Sequence, residues 1–427
     1  MKAQTAEENG FKETEIGLIP SDWDVVKLEE IADISSGGSA PQGEKYFNGK
    51  NPFIRVQHVE EDTNRIARWN LITDEAVKKY KLKLYSKGTI VFPKSGASIY
   101  LEKRAMLPVD AYIVSHLCAV KADNQKANQE FLFYELRNIN LSENKADGYP
   151  TLNLSEVKIV EITLPLLPEQ KKIASVLSKI QQAIEQQDKI MQITKELKKS
   201  LMNKLFTEGL HGEEQKETAI GLIPKSWRVE NIVNVVEKTK QTDPTKNPSL
   251  NFKYIDVSGV SNVSLKIVDY KTYKGADAPS RARKIIQTDD VIFATVRPTL
   301  KRIAYIENIF DGEICSTAFC VLRSKKDVLF RRYLYYCVQR EEFIEELAKL
   351  ERGASYPAIT DNNIRDQKVP LPKIEEQQEI ANVLSNVDKK LTQSESRKQT
   401  LRALFKTMLN QLMTGKVRVK DLDVEVN

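Results

Sequence analysis

The sequence predicts an α+β protein built twice: two pseudo-symmetric α/β domains separated by two long antiparallel helices that form a coiled-coil spacer. Three observations carry this. One short block recurs late in the chain, a second block recurs near the end of each half, and each half closes on a long amphipathic stretch.

The first block is "ETEIGLIPSDW" from Glu13 and "ETAIGLIPKSW" from Glu217, an offset of 204. Ile16 to Pro20 return letter for letter as Ile220 to Pro224, and Trp23 returns as Trp227. The second block begins at Gly148 and at Ser355, an offset of 207. It pairs Tyr149 with Tyr356, Pro150 with Pro357, Leu164-Pro165 with Leu371-Pro372, and Ile173-Ala174 with Ile380-Ala381. "MNKLFT" from Met202 lies on "LNQLMT" from Leu409 at the same offset. Each half therefore has matching ends and a diverged middle. The middles share a weaker pattern. "GTIVFPKSGAS" from Gly88 resembles "DVIFATVRPTL" from Asp290, and "YIVSHLCAV" from Tyr112 lies on "EICSTAFCV" from Glu313, aligning Ser115 with Ser316. These runs favour strands, and windows 126–138 and 330–350 favour helices.

The long stretches read most plainly. From Glu169 the apolar positions are Ile173, Leu177, Ile180, Ile184, Met191, Leu197, Leu201 and Leu205. From Glu376 they are Ile380, Leu384, Val387, Leu391, Leu401, Leu404, Met408 and Leu412. Steps mostly of three and four predict helices with a coiled-coil seam. That seam is assigned to Ile173, Leu177, Ile180, Ile184, Leu201, Leu205, Ile380, Leu384, Val387, Leu391, Met408 and Leu412. Both copies turn polar at one place, Gln187 and Ser394. Prolines at 165, 168, 370 and 372 mark the starts; Gly209, Gly212 and Gly415 mark the stops. A helix of about 40 residues spans roughly 60 Å, and one apolar stripe that long needs a partner. Antiparallel pairing within the chain supplies one. Packing on its own domain, or pairing between chains, are the other solutions. The expected boundaries are a first domain at 1–160, a first spacer helix at 161–212, a second domain at 213–367, and a second spacer helix with tail at 368–427.

The bulk numbers fit a globular chain. Of 427 residues, 41% are hydrophobic and 29% charged, and no apolar run is long enough to cross a bilayer. The first ten residues are polar and lack a signal-peptide pattern, so a cytoplasmic location is expected. Cys118, Cys315, Cys320 and Cys337 form no CxxC pair and are read as reduced, buried thiols. A net charge of +6 does not by itself establish a nucleic-acid partner.

No catalytic constellation is visible. His58, His116 and His211 have no metal-ligand spacing; His116 reads as a core histidine and His211 as a solvated one. The stretch from Gly38 to Gly43 mimics a phosphate loop, but Glu44 stands where lysine is required. Asn51-Pro52-Phe53 has one proline too few for an amino-methyltransferase run. A binding protein is the better reading. Polar, basic and aromatic residues gather in the diverged middles, in windows 35–50, 53–58, 93–104 and 148–153, then 252–259, 279–284, 295–302 and 352–360. Such side chains suit phosphates and base edges.

The repeated "ETEIGLIPSDW / ETAIGLIPKSW" openings resemble the specificity subunit of type I restriction-modification systems. So do the "LPLLPEQKKIASVL / LPKIEEQQEIANVL" helix starts and the "LMNKLFT / MLNQLMTG" helix ends. The resemblance covers essentially the whole chain. It implies two target recognition domains, each reading one half of a bipartite double-stranded DNA site, and no catalytic residue in this chain. It implies two methylation subunits bringing S-adenosylmethionine and adenine methylation, and restriction subunits bringing ATP- and Mg-dependent translocation and cleavage. No cofactor and no metal is assigned to this chain. Serving a fused methylase-nuclease, or acting as a coiled-coil adaptor with two protein-binding heads, are the alternatives. The family's recognition domains vary too much to transfer base contacts, so DNA-contact candidates rest on side-chain chemistry. In the first half they are Lys45, Arg55, Gln57, Lys94, Ser95, Lys103, Arg104, Tyr149 and Asn153. In the second they are Lys253, Arg281, Arg283, Arg297, Lys301, Arg302 and Tyr356. The two tyrosines sit beside prolines before each spacer helix, where packing is an equal explanation.

Helix length should then act as a ruler, since one turn is about 5.4 Å and a base pair about 3.4 Å. Inserting one heptad into both helices should lengthen the unread gap while both half-sites stay the same. Methylome sequencing checks this, and altered half-sites would contradict it.

Overall fold

The computed structural model describes residues 10–60, 65–142, 150–353 and 357–419. The chain forms two compact units, Met1–Asp188 with Arg397–Asn427, and Lys189–Ser396.

The first unit opens with β1 (Phe11–Thr14) and β2 (Gly17–Pro20), a hairpin pairing Phe11 with Pro20. Then come β3 (Asp24–Lys27), the single turn α1 (Leu28–Ile31), β4 (Ala32–Ser36), β5 (Phe47–Ile54) and β6 (Asn70–Ile72). Helix α2 (Asp74–Lys79) is capped by Thr73, whose hydroxyl accepts from the Ala76 amide at 3.2 Å. Next are β7 (Leu84–Tyr85), β8 (Ile90–Pro93), β9 (Ala105–Met106), β10 (Ala111–Ile113), β11 (Leu117–Ala122), α3 (Gln129–Asn138), α4 (Leu154–Lys158), β12 (Glu161–Leu164) and the 42-residue α5 (Leu167–Glu208). The sheets are ordered β6-β5-β10-β7 and β4-β11-β8-β9, with β12 beside β3.

The second unit repeats this plan: β13 (Gln215–Thr218), β14 (Gly221–Pro224), β15 (Arg228–Asn231), α6 (Ile232–Val235), β16 (Asn251–Ile255), β17 (Lys271–Lys274), β18 (Ala282–Ile285), β19 (Val291–Ala294), β20 (Ile303–Tyr305), β21 (Ile314–Ser316) and β22 (Phe319–Leu322). Where one helix is expected across 330–350 there are two, α7 (Arg331–Cys337) and α8 (Glu341–Ala348). Then follow α9 (Asp361–Arg365), β23 (Lys368–Leu371) and the 40-residue α10 (Ile374–Met413). Its sheets are β17-β16-β21-β18, β20-β19-β22 and β15-β23. β5 pairs parallel with β10, and β16 parallel with β21.

The short all-apolar strands have a simple cause. Successive side chains of a strand face opposite sides, and here both sides are core. Ile90, Phe92, Cys118 and Val120 join one cluster while Val91, Leu117 and Ala119 join another. In the second unit Val291, Phe293, Cys320 and Leu322 split likewise from Ile292, Ala294, Phe319 and Val321. Register also corrects the alignment of the middles. Cys118 lies opposite Phe92 and Cys320 opposite Phe293. Carried back along the chain, this matches Ser115 with Thr317, not Ser316. All four cysteines are buried and free.

The repeated blocks act as clamps on the long helices. Trp23 is 1% exposed and its indole N–H donates to Glu169 Oε2 at 3.1 Å, in the first turn of α5. Trp227 is equally buried and donates to Glu376 Oε2 at 3.1 Å, in the first turn of α10. Gly415, just past α10, packs on Pro20 and Trp23; Gly209, just past α5, packs on Pro224 and Trp227. Both glycines end their helices with positive φ, 66° and 69°. Gln170 and Gln377 add a second matched tie. Each accepts a backbone N–H (Asn128, Phe330) and donates to a proline carbonyl (Pro165, Pro372). In the first unit Arg418 also bonds Glu169 and Asp22 at 2.8 Å.

Each unit thus holds the start of one long helix against the end of the other. In the first unit Glu169 meets Arg418 while Asp188 pairs with Lys398, so the two segments run antiparallel. In the second, Glu376 meets Leu210 while Asp388 pairs with Lys198 at 2.8 Å. Seam residues Ile173, Leu177, Ile184, Leu205, Ile380, Leu384 and Leu412 are buried; Ile180, Leu201, Val387, Leu391 and Met408 are half-buried. Leu197 and Leu404 depart from the predicted stripe, at 50% and 44% exposed. Thirteen residues beyond Ile184, Leu197 has rotated about 140° around the helix. Beside Leu404, Phe405 takes the core position.

A buried carboxyl sits at the same junction. Glu135 on α3 accepts from the Thr163 amide at 3.0 Å and hydroxyl at 2.8 Å, and the hydroxyl lies 3.4 Å from the Met413 carbonyl. Burial pushes the Glu135 carboxyl up to about 7.

Two outcomes are expected. Gly415→Ala should lower the urea midpoint, costing more than about 1 kcal/mol, because its Cβ would stand 2.2 Å from Pro20 Cγ. Gly212→Ala, with nothing within 4 Å, should cost less. Glu135 is held protonated more tightly folded than unfolded, so its contribution is full below pH about 4.5 and is lost as pH rises through about 7. Glu135→Gln should flatten that slope and raise stability at pH 8 by on the order of 3 kcal/mol.

Candidate nucleic-acid interface

The sequence-derived candidates separate into exposed groups and groups committed within their own unit. Lys45 is exposed in the turn before β5, its ammonium 4.9 Å from the Tyr46 ring centre and 3.9 Å from Glu75. Arg55 and Gln57 follow β5 and line a shallow cavity of about 390 Å³ with Gln42, Gly43, Phe47 and Asn70. Gln42 and Asn70 were not singled out by sequence. Gln42 belongs to the stretch that mimics a phosphate loop, and the Gln42-Gly43 pair is the turn signal the sequence offers there; the structure puts Gly43 at φ 98°.

The loop carrying Arg55 is tied by a buried histidine. His58 is 5% exposed, and its Nδ1 accepts the Arg55 backbone N–H at 3.0 Å. Burial, then the charges of Arg55 and Arg68, push the His58 pKa down, favouring the neutral ring that this bond requires.

A second group lies at the end of β8. Lys94 and Ser95 meet the segment after Pro150: Leu152 N–H donates to the Lys94 carbonyl at 2.8 Å, and Gly96 N–H to the Pro150 carbonyl at 2.9 Å. His116 is exposed in the turn between β10 and β11, with Nδ1 2.5 Å from Ser95 Oγ. It is not a core histidine, because the apolar strand pattern breaks there into a turn. Asn153 caps α4, its backbone N–H donating to Glu156 at 2.7 Å. Lys103 is half-buried. Arg104 is 2% exposed, its guanidinium 4.8 Å from the Phe92 ring centre and paired with Glu102, so its charge is spent inside the unit.

In the second half Arg281 and Arg297 are exposed. Arg297 takes a left-handed conformation, φ 48°, and its N–H donates to the Pro357 carbonyl at 2.7 Å. This is the counterpart of the Gly96–Pro150 bond, so both repeated prolines close the same joint. Four others bond as follows. Lys253 donates to the Ile309 carbonyl at 2.7 Å, Arg283 to the Ala282 carbonyl at 2.9 Å, and Lys301 to Glu341 at 2.7 Å. Arg302 donates to the carbonyls of Val257 and Val260, fixing the turn after β16. Tyr149 and Tyr356 lie outside the described residues.

Comparison with known proteins agrees with this duplicated plan. The model of the family described as type I restriction modification DNA specificity domain matches twice, at residues 20–195 and 224–403. The chain is 26% identical over 438 residues to the putative type I restriction enzyme MjaX specificity subunit of Methanocaldococcus jannaschii, covering 98% of this chain and 99% of that one. It is 26% identical over 441 residues to the MjaVIII specificity subunit of the same organism, at the same coverage. Among solved structures, the type I S subunit from M. genitalium superposes with a TM-score of 0.59 at 15% identity, over 91% of this chain and 96% of that one. A chain solved in work on complex assembly of the type I R-M system gives 0.54 at 18% identity, over 93% and 99%.

Proposed function

The chain belongs to the type I restriction-modification DNA specificity family, and from that premise we propose that its two units read the two different parts of one bipartite DNA site. As a specificity subunit it is a non-catalytic recognition component that assembles with methylation and restriction subunits. In our reading two methylation subunits dock on it, bringing S-adenosylmethionine to the target adenines, and the complex works in the cytoplasm. No helix among the described residues is long and apolar enough to cross a membrane.

One observation carries the modular reading. The same strand order, less the edge strand that β4 supplies in the first unit, and the same tryptophan and glutamine ties recur in both units, while the side chains on the loops differ. A frame built twice with different loops suits two different sequences. Salt-dependent phosphate contacts from exposed cations such as Lys45, Arg281 and Arg297 would position the duplex, and loop side chains would read bases.

Exchanging residues 30–150 for the equivalent region of another specificity subunit should change one half-site and leave the other intact. Methylome sequencing of a host expressing the chain with its methylation partners provides the readout. A change in both half-sites would sink the modular reading.

A further inference from the structure

The two units end one strand in the same way and then differ. β5 ends at Ile54, Arg55 follows, and a 3-10 turn spans Val56–His58. β16 ends at Ile255, Asp256 follows, and a 3-10 turn spans Val257–Gly259. Both turns close with matching bonds, His58 N–H to the Arg55 carbonyl and Gly259 N–H to the Asp256 carbonyl. The backbone is kept while Arg55 and Gln57 stand where the other unit has Asp256 and Ser258. In the second unit the Asp256 carboxylate accepts the Val257 N–H at 2.8 Å and is used up in the turn, whereas Arg55 lines a cavity.

The first-unit position is built to receive something. The Arg55 guanidinium lies 5.4 Å from the Phe47 ring centre and 5.8 Å from that of Phe53, within cation–π range of both. Its Nε is buried and has no hydrogen-bond partner among the described residues. The orphaned donor is a cost the unit bears to keep this side chain half-buried at the cavity. The carboxamides of Gln42, Gln57 and Asn70 line the same cavity. Glu44 also lines it, and a guanidinium among carboxamides and a carboxylate is a poor seat for an apolar ligand. It is a good one for the major-groove edge of a base pair, where guanine offers two adjacent acceptors.

We propose that this cavity is the base-reading site of the first unit, and that Arg55 reads a guanine through O6 and N7 beside Gln57 and Asn70. The assignment rests on the modular reading above and adds to it a residue and a base. His58 beneath the loop holds the backbone from which Arg55 projects.

The test uses the full chain expressed with its methylation subunits, comparing wild type with Arg55→Gln, Arg55→Lys and Gln57→Ala by methylome sequencing. The expected result is a guanine in one wild-type half-site whose discrimination falls about tenfold or more in Arg55→Gln, with the other half-site unchanged. The unchanged half-site reports that the complex is folded. A uniform loss of methylation with the motif intact would mark a phosphate contact and overturn the assignment. So would an unchanged motif, or a first half-site without guanine. If both Arg55 variants abolish methylation, exposed Gln57→Ala decides: altered preference at one position supports the assignment, and an unaltered motif overturns it. A wild-type complex that methylates no bipartite site would instead overturn the modular reading itself.

Discussion

An indole N–H buried away from water needs an acceptor, and in each unit that acceptor is a glutamate in the first turn of a long helix. The carboxylate is well placed for a second reason: it sits at the positive end of the helix dipole. The same tryptophan packs on the glycine that ends the other long helix. One side chain therefore fixes a helix start, a helix end and the hairpin before the domain. Everything outward of this joint can change without moving it. That is why the IGLIP block and its tryptophan persist while the loops do not.

The ends of each half were legible in the sequence because geometry restricts them. Few residues fill the place of Trp23, and only glycine takes the backbone of Gly415 against Pro20. The prolines and glycines lie at the ends of the two long helices, and the spacing picks out residues that the structure buries or half-buries. The misses have physical causes. Leu197 stands among the apolar positions of the stripe although the helix turns it away, and Leu404 stands there in place of its buried neighbour Phe405. The single helix expected over 330–350 breaks after Cys337.

The middles were much harder to read. Their strands are apolar on both faces, so Ile, Val, Phe, Leu and Cys interchange freely and the shared strand order left almost no trace. Among the candidate contacts, charge alone was a weak guide. Arg104 and Arg302 look alike in sequence, each after a lysine and ahead of a strand, yet both are engaged inside their units. Arg55 differs because aromatic rings hold it beside a cavity. That property depends on Phe47 and Phe53 facing it across a bulged strand, which no local pattern announces.

The division of the chain also bears on how it is made. The second unit is one continuous stretch, Lys189–Ser396, whereas the first takes its last helical segment from Arg397 onward. On the ribosome, Phe405, Leu412 and Met413, which share a cluster with Ile173, Leu177 and Ile184, emerge only after the second unit. The first unit translated therefore cannot close until the second has been synthesised. Meanwhile its nascent apolar stripe stays open to chaperones, or to a like stripe on a neighbouring chain.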